Sequence, residues 1–241
     1  MDTTYKTEFH VHTKYSHDSG MGKWALYFIG KLRGINCFAI TDHNEIAGAQ
    51  SYLSWFKKKN IQIIVGEEIF TSEGEIIGLF LKEKIQPGLT PEETILEIRK
   101  QNGIVYLPHP YDEKRYRTVL SIDAVKRCVG SIDCAEIHNG RNINFIFSDK
   151  QKAIVEAFGF VPIVGGDSHV FFEVGRNICL TTEQLNRENF LDAIKNAQLK
   201  QKPCLKLAHQ ITRLVRIKKY ITRGDLNGLR RALNRKLTRR K

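Results

Sequence analysis

Short runs rich in β-branched and aromatic residues alternate along the chain with stretches of helical periodicity. EFHVHT (8–13) reads as a strand, a helix follows around Trp24 to Leu32, and INCFAIT (35–41) is a second strand. A helix around Ala47 to Lys58 and the strand IQIIVGEEI (61–69) continue the rhythm, which is that of βα units around a largely parallel sheet. IQIIVGEEIF and EIIGLFL, separated by TSEG, predict a hairpin set into it. Thr90, Pro91 and Glu93 supply a capping box with proline at the first helical position, starting a helix that ends near Asn102-Gly103. IVYLPHP is a strand halted by two prolines, DEKRYRTVLS (112–121) a polar loop over one end of the sheet, and DCAEIHN a further strand. A helix over Phe145 to Phe158 and the strands VPIVGGDSH and NICLTT complete about seven strands, without an internal repeat.

With 241 residues and 41% apolar content, the chain can bury a substantial core in one main α/β domain with an appendage. No apolar run reaches the ~18 residues of a spanning helix. MDTTYKTEFH has neither the basic nor the apolar region of a secretion signal, so the expected location is the cytoplasm. Cys37, Cys128, Cys134, Cys179 and Cys204 are odd in number, scattered and without a CxxC pair, as expected of reduced thiols.

Charge divides the chain more sharply than hydropathy does. Of the 38 Lys and Arg, 13 lie in residues 206–241 with a single acid, Asp225, so that the whole net charge of +12 belongs to the tail and residues 1–205 are neutral. The expected organisation is a body over 1–205 and a basic amphipathic helical tail over 206–241. Ile211, Leu214, Val215 and Ile221 have helical spacing in its first half; Asp225 can cap a second helix with Leu226, Leu229, Leu233 and Leu237 on one face and Arg230, Arg231, Arg235 and Arg239 opposite. Such a helix pair can pack its apolar stripe on the body, lie on an anionic membrane surface or grip nucleic-acid phosphates. Packing of the stripe with some anionic contact is the expectation.

The reactive residue types fall where strands stop. His10 and His12, two apart, share a strand face. His43 ends INCFAITDH, Glu68 follows Gly66 and Glu67, His109 sits between two prolines, His138 ends DCAEIH, and Asp167 and His169 lie just past VPIVGG. The carboxyl ends of parallel strands form the site in α/β folds, so these residues can converge although 160 positions separate the ends of the set. Imidazoles and carboxylates gathered in such numbers imply bound metal, since unpaired they are costly to desolvate.

The ordered set HxH, TDH, GxE, PHP and DSH resembles that of the polymerase and histidinol phosphatase (PHP) superfamily of metal-dependent phosphoesterases, over about residues 5–181. The resemblance implies an α/β fold, a distorted seven-stranded (β/α) barrel, here with a C-terminal basic helical extension, and two or three divalent metals at its mouth. Manganese, zinc and iron all suit such mixed ligands. It implies His10, His12, Asp18, His43, Glu68, His109, Asp167 and His169 as ligands. His17 competes with Asp18, and the YSxDS context favours Asp18; G-x-E spacing selects Glu68 over Glu67. Relatives carry a histidine on the following hairpin where this chain offers Glu75.

The implied reaction is hydrolysis of a phosphate ester, a small phosphomonoester or a nucleotide, by a water whose pKa the cations lower from 15.7 toward neutrality. Asp167 is the residue expected to bridge cations or orient that water, and His138 is either a general acid for the leaving oxygen or a supporting hydrogen-bonding residue. Arg141 and Arg176 are candidate phosphate clamps. The loop YDEKRYR (111–117) could stack a base and contact a phosphate. Alternatives are an exonuclease on RNA or DNA ends that uses the basic tail, and a non-catalytic, metal-stabilised module attached to membrane or nucleic acid through it.

Overall fold

The computed structural model describes residues 4–112 and 118–234. Within YDEKRYR only Tyr111 and Asp112 are therefore described, and Arg235, Leu237 and Arg239 lie outside the described residues, as do the side chains of Arg231 and Leu233.

Seven strands close into a barrel. β1 (Tyr5–Val11) pairs with β2 (Cys37–Ile40), and the order runs on through β3 (Gln62–Thr71), β4 (Gly74–Leu79), β5 (Ile104–Leu107), β6 (Cys134–Asn139) and β7 (Val161–Ser168) back to β1. Neighbours are parallel except β4, which runs antiparallel to both β3 and β5 as the second arm of the expected hairpin. Two strands lie beyond the barrel. β8 (Ile178–Thr181) is antiparallel to the first half of β1, and β9 (Gln198–Lys200) extends it. The sequence marks β8, but not the three-residue β9.

Helices α1 (Lys23–Arg33) and α2 (Ala47–Lys57) stand where the apolar periodicity predicts them. α3 (Pro91–Lys100) opens on the capping box: the Thr90 hydroxyl accepts from Glu93 N, and the Glu93 carboxylate accepts from Thr90 N. α4 (Ile122–Cys128), α5 (Ile146–Phe158), α6 (Phe190–Lys195), α7 (Lys206–Thr222) and α8 (Leu226–Asn234) follow. Three apolar clusters hold these layers together. Phe38, Phe56 and Leu26 join α1 and α2 to β2; Ile95, Ile98, Val125 and Val155 join α3, α4 and α5 to the sheet; and Phe9, Leu79, Tyr106, Ile163 and Phe190 form the third. Phe190 closes the last of these with edge-to-face contacts to Phe9 and Phe80.

β1 is not a regular strand. Its register shifts between Glu8 and Val11 against β2 and between Phe9 and Val11 against β7, and within that stretch His10 takes φ 61°. A period of two would turn Phe9 and His10 to opposite faces. The irregularity lets Phe9 stay in the cluster that contains Tyr106 while the His10 ring lies against that same tyrosine. Bulges of this kind re-aim side chains near functional sites, and three proposed ligands carry the strain: His10, His109 (φ 31°) and Asp167 (φ 48°).

Candidate metal centre

Seven imidazole and carboxylate side chains from the ends of five strands meet at one mouth of the barrel. His10 and His12 come from β1 and its end, His43 from the residues after β2, Glu68 from β3, His109 from the loop after β5, and Asp167 and His169 from β7 and its end. Asp18, on the loop that follows His12, completes the set. Glu68 is at its centre: Oε1 lies 3.1 Å from Nε2 of both His10 and His109, while Oε2 lies 2.9 Å from His43 Nδ1 and 3.4 Å from His12 Nε2. Asp167 Oδ1 is 3.5 Å from His12 Nε2, 3.8 Å from His10 Nε2 and 3.3 Å from His169 Nδ1. Asp18 Oδ1 stands 3.2 Å from His169 Nε2 and 3.6 Å from His43 Nε2.

The surrounding hydrogen bonds decide which nitrogen of each ring is free. His10 Nδ1 donates to Glu136 Oε1 at 2.7 Å. Ser16 Oγ donates to Asp42 Oδ1 at 2.6 Å and so accepts from His12 Nδ1 at 3.1 Å. His169 Nδ1 donates to the Asp167 carbonyl at 2.8 Å. In neutral rings each of these leaves Nε2 as a lone pair. Those lone pairs face carboxylate oxygens, acceptor against acceptor, and Nε2 of His10 and His12, Asp18 Oδ1 and Glu68 Oε2 are buried without a hydrogen bond. Divalent cations resolve this conflict, so the donor set fits the metals that the sequence implies. Burial would lower His10 and His43, yet Glu68 raises both well above the usual imidazole value; burial, His169 and His43 hold His12 well below it.

Among the described residues five overlapping triads have donor atoms within 4.8 Å of one another: His10–His12–Asp167, His10–Glu68–His109, His12–His43–His169, His17–Asp18–His43 and His43–Glu68–Glu75. Each residue of the implied ligand set belongs to at least one, and so do the two whose part the sequence left open. Glu75, on β4, lies 3.6 Å from His43 Nδ1 and 3.5 Å from His109 Nε2. Asp18 is the more buried of the rival pair, with 10% of its side chain exposed against 41% for His17.

A match to the PHP domain family model covers residues 8–165. The chain belongs to the PHP domain family. Two uncharacterized proteins of Methanocaldococcus jannaschii are similar to it, one 45% identical over 119 residues (44% of this chain, 68% of that protein), the other 32% identical over 185 residues (76% and 73%). Among solved structures, a two-domain Bacteroides vulgatus protein containing a predicted PHP-like metal-dependent phosphoesterase superposes with a TM-score of 0.62 at 17% identity. That alignment covers 82% of this chain and 65% of the Bacteroides protein, so the chain spans less than two thirds of that relative.

Other residues singled out in the sequence stand apart from this PHP cluster. A register shift between Glu136 and His138 turns them apart. His138 Nε2 donates to the Lys202 carbonyl at 3.0 Å, and its Nδ1 accepts from Ser148 Oγ at 2.6 Å. Arg141 is buried and bound to Glu173 at 2.9 Å, to Thr212 Oγ1 at 3.1 Å and to His209 Nδ1 at 3.3 Å. Glu173 in turn accepts from His169 N and Val170 N. Arg176 donates to the Pro203 carbonyl.

Sequence reasoning passed over two buried carboxylates that hold the ligands. Glu136 accepts from His10 Nδ1, Tyr106 OH, His109 N and Asn139 Nδ2. Asp42 accepts from the backbone N and hydroxyl of both Thr13 and Ser16, fixing the loop between His12 and Asp18. A Cβ on Gly165 would collide with the Glu136 carboxylate, and that is the physical signal hidden in the glycine pair before Asp167.

Proposed function

We propose that this PHP protein is a metal-dependent phosphoesterase that hydrolyses a small phosphomonoester or a nucleotide. The observation that carries the reading is Glu68, whose two oxygens each face a different pair of imidazoles. Glu68, with His10, His109, His12 and His43 around it, would hold divalent cations; Asp167, His169, Asp18 and Glu75 complete the cradle. Divalent cations bound there lower the pKa of water toward neutrality and offset charge on phosphoryl oxygens.

The chain's own groups then have distinct tasks. Asp167 Oδ1, directed at the His10, His12 and His169 side of the cluster, orients the attacking water and accepts its proton. Glu136 and Asp42 hold the rings with Nε2 unprotonated, so that the ligands need no rearrangement when the ester arrives. His138, with both nitrogens engaged away from the cluster, is assigned a structural part. The leaving-group proton is not assigned to it.

A hydrolysis screen of phosphomonoesters, nucleotides and short RNA and DNA, with metal-replete protein and the Asp167→Ala and His169→Ala variants, tests the proposal. Hydrolysis of a small ester that both substitutions reduce by at least about 100-fold is expected. Equal rates in parent and variants would assign the activity to another site. Preferential cleavage of oligonucleotides, falling steeply with salt, would favour the exonuclease instead.

A further inference from the structure

The tail's first helix crosses the rim of the metal cluster, and only part of the apolar stripe that the sequence predicts lies on its barrel side. Leu214 and Ile221 are exposed, whereas Ala208 and Thr212 are buried and Val215 packs beside Gly20. One turn further on, Lys219 Nζ donates to three backbone carbonyls, of Lys14 at 2.7 Å, Ser16 at 2.5 Å and Ser19 at 2.6 Å. These carbonyls flank His17 and Asp18, and an ammonium has three N–H groups, so Lys219 is fully used. It fixes α7 against the loop that carries Asp18.

Arg216 lies three residues before Lys219, a spacing that puts it on the same side of the helix. Its Nε is buried and has no hydrogen-bond partner. The loop that this side of α7 faces carries His17, whose ring packs on that of His43 at 4.8 Å. A guanidinium with an unsatisfied N–H therefore lies on the side of α7 turned to the loop that bears Asp18. Arg141 and Arg176, by contrast, are spent on Glu173 and on the Pro203 carbonyl.

We propose that Arg216 binds the non-bridging phosphate oxygens of the substrate, so that the basic tail, through α7, completes the substrate site. This rests on the phosphoesterase reading above. A phosphate oxygen satisfies the unpaired Nε–H, and the planar fork accommodates two oxygens at once. The cation also offsets the repulsion that Asp18, Glu68, Glu75 and Asp167 exert on an approaching dianion.

The test uses full-length, manganese-loaded protein and two probes, hydrolysis of p-nitrophenyl phosphate and equilibrium binding of inorganic phosphate. Arg216→Met is expected to raise KM and the phosphate Kd by about tenfold or more, as loss of a charge-assisted pair predicts, with manganese stoichiometry and melting temperature unchanged. Arg216→Lys, which keeps the charge but not the fork, is expected to fall between parent and Arg216→Met. Arg213→Gln, which removes a charge from a neighbouring position of α7, is expected to change neither readout by more than about twofold. Parent-like KM and Kd in Arg216→Met, or equal losses in Arg213→Gln, would overturn the inference. Phosphate binding that depends on Arg216 in a protein that hydrolyses no ester would overturn the phosphoesterase reading alone; a parent that neither binds phosphate nor hydrolyses would overturn both.

Discussion

Glu136 touches no substrate in this reading, yet it fixes more of the site than any single ligand. Its Oε1 accepts hydrogen bonds from His10 Nδ1 and Tyr106 OH, and its Oε2 from His109 N and Asn139 Nδ2. An amide in its place would set its NH2 against the two donors of one oxygen. Glu136→Gln is therefore expected to weaken cation binding about 10- to 100-fold, measured by competition with a chromophoric chelator, although every ligand is still present. Unchanged affinity would mean that the His10 tautomer is set elsewhere. The contrast between Glu136 and the ligands also explains what could be read in advance. His10, His43, Glu68 and Asp167 are visible because a reactive side chain ends an apolar run. Glu136 lies in the middle of DCAEIHN, where an acid reads as a solvent-facing residue, and only its burial and its hydrogen bonds reveal its inward direction.

At the scale of elements, β6 shows how a single irregularity assigns two neighbours to different tasks. Beyond the shift, His138 joins the strand to α5 through Ser148 and to the chain segment after β9 through Lys202. Burial depresses the His138 pKa below its ordinary value, so the unfolded chain takes up a proton that the folded one refuses. The stability this group contributes is present above the unfolded value of about 6.5 and is lost as the pH falls through the lower folded value. The unfolding free energy of the parent, from denaturant titration, is expected to drop more steeply than that of His138→Gln between about pH 7 and about pH 5, by a differential slope of at most about 1.4 kcal/mol per pH unit. Parallel curves would show that His138 does not titrate on unfolding. Long periodic elements such as α1, α2 and α5 were legible, and so was the capped start of α3. α4, α6 and β9 were not, because seven, six and three residues are too few to establish a period. The tail helices were legible as helices; of the stripe read on the first, Ile211 and Val215 are half-buried and Leu214 and Ile221 exposed, because the barrel also offers carbonyl oxygens and a carboxylate-bound arginine, which a lysine and a threonine satisfy.

For the molecule as a whole, the proposed cation site is a clasp across the barrel mouth. Its ligands come from β1, β3 and β7 and from the segments that follow β1, β2, β5 and β7, so metal binding and folding draw on the same contacts. A cation at about 1,000 times its Kd adds roughly 4 kcal/mol to stability. For a chain of this size that corresponds to about 8 to 16 °C in melting temperature. Stripping the protein with a chelator is expected to abolish hydrolysis and lower the thermal midpoint by such an amount, both reversed by added manganese or zinc; a midpoint indifferent to chelator would mean that the mouth is held without metal. Among the described residues no helix is long and apolar enough to cross a membrane.

The Lys219 tripod ties a residue near the end of the described chain to one of its earliest loops. Some 200 positions separate the two partners, and at a synthesis rate of about 5–20 residues per second the loop bearing Asp18 waits roughly 10 to 40 s on the ribosome before its fastener exists. Barrel strands and the Asp42 hold on that loop can form as the chain emerges, but the Lys219 bonds are added only once translation has passed α7.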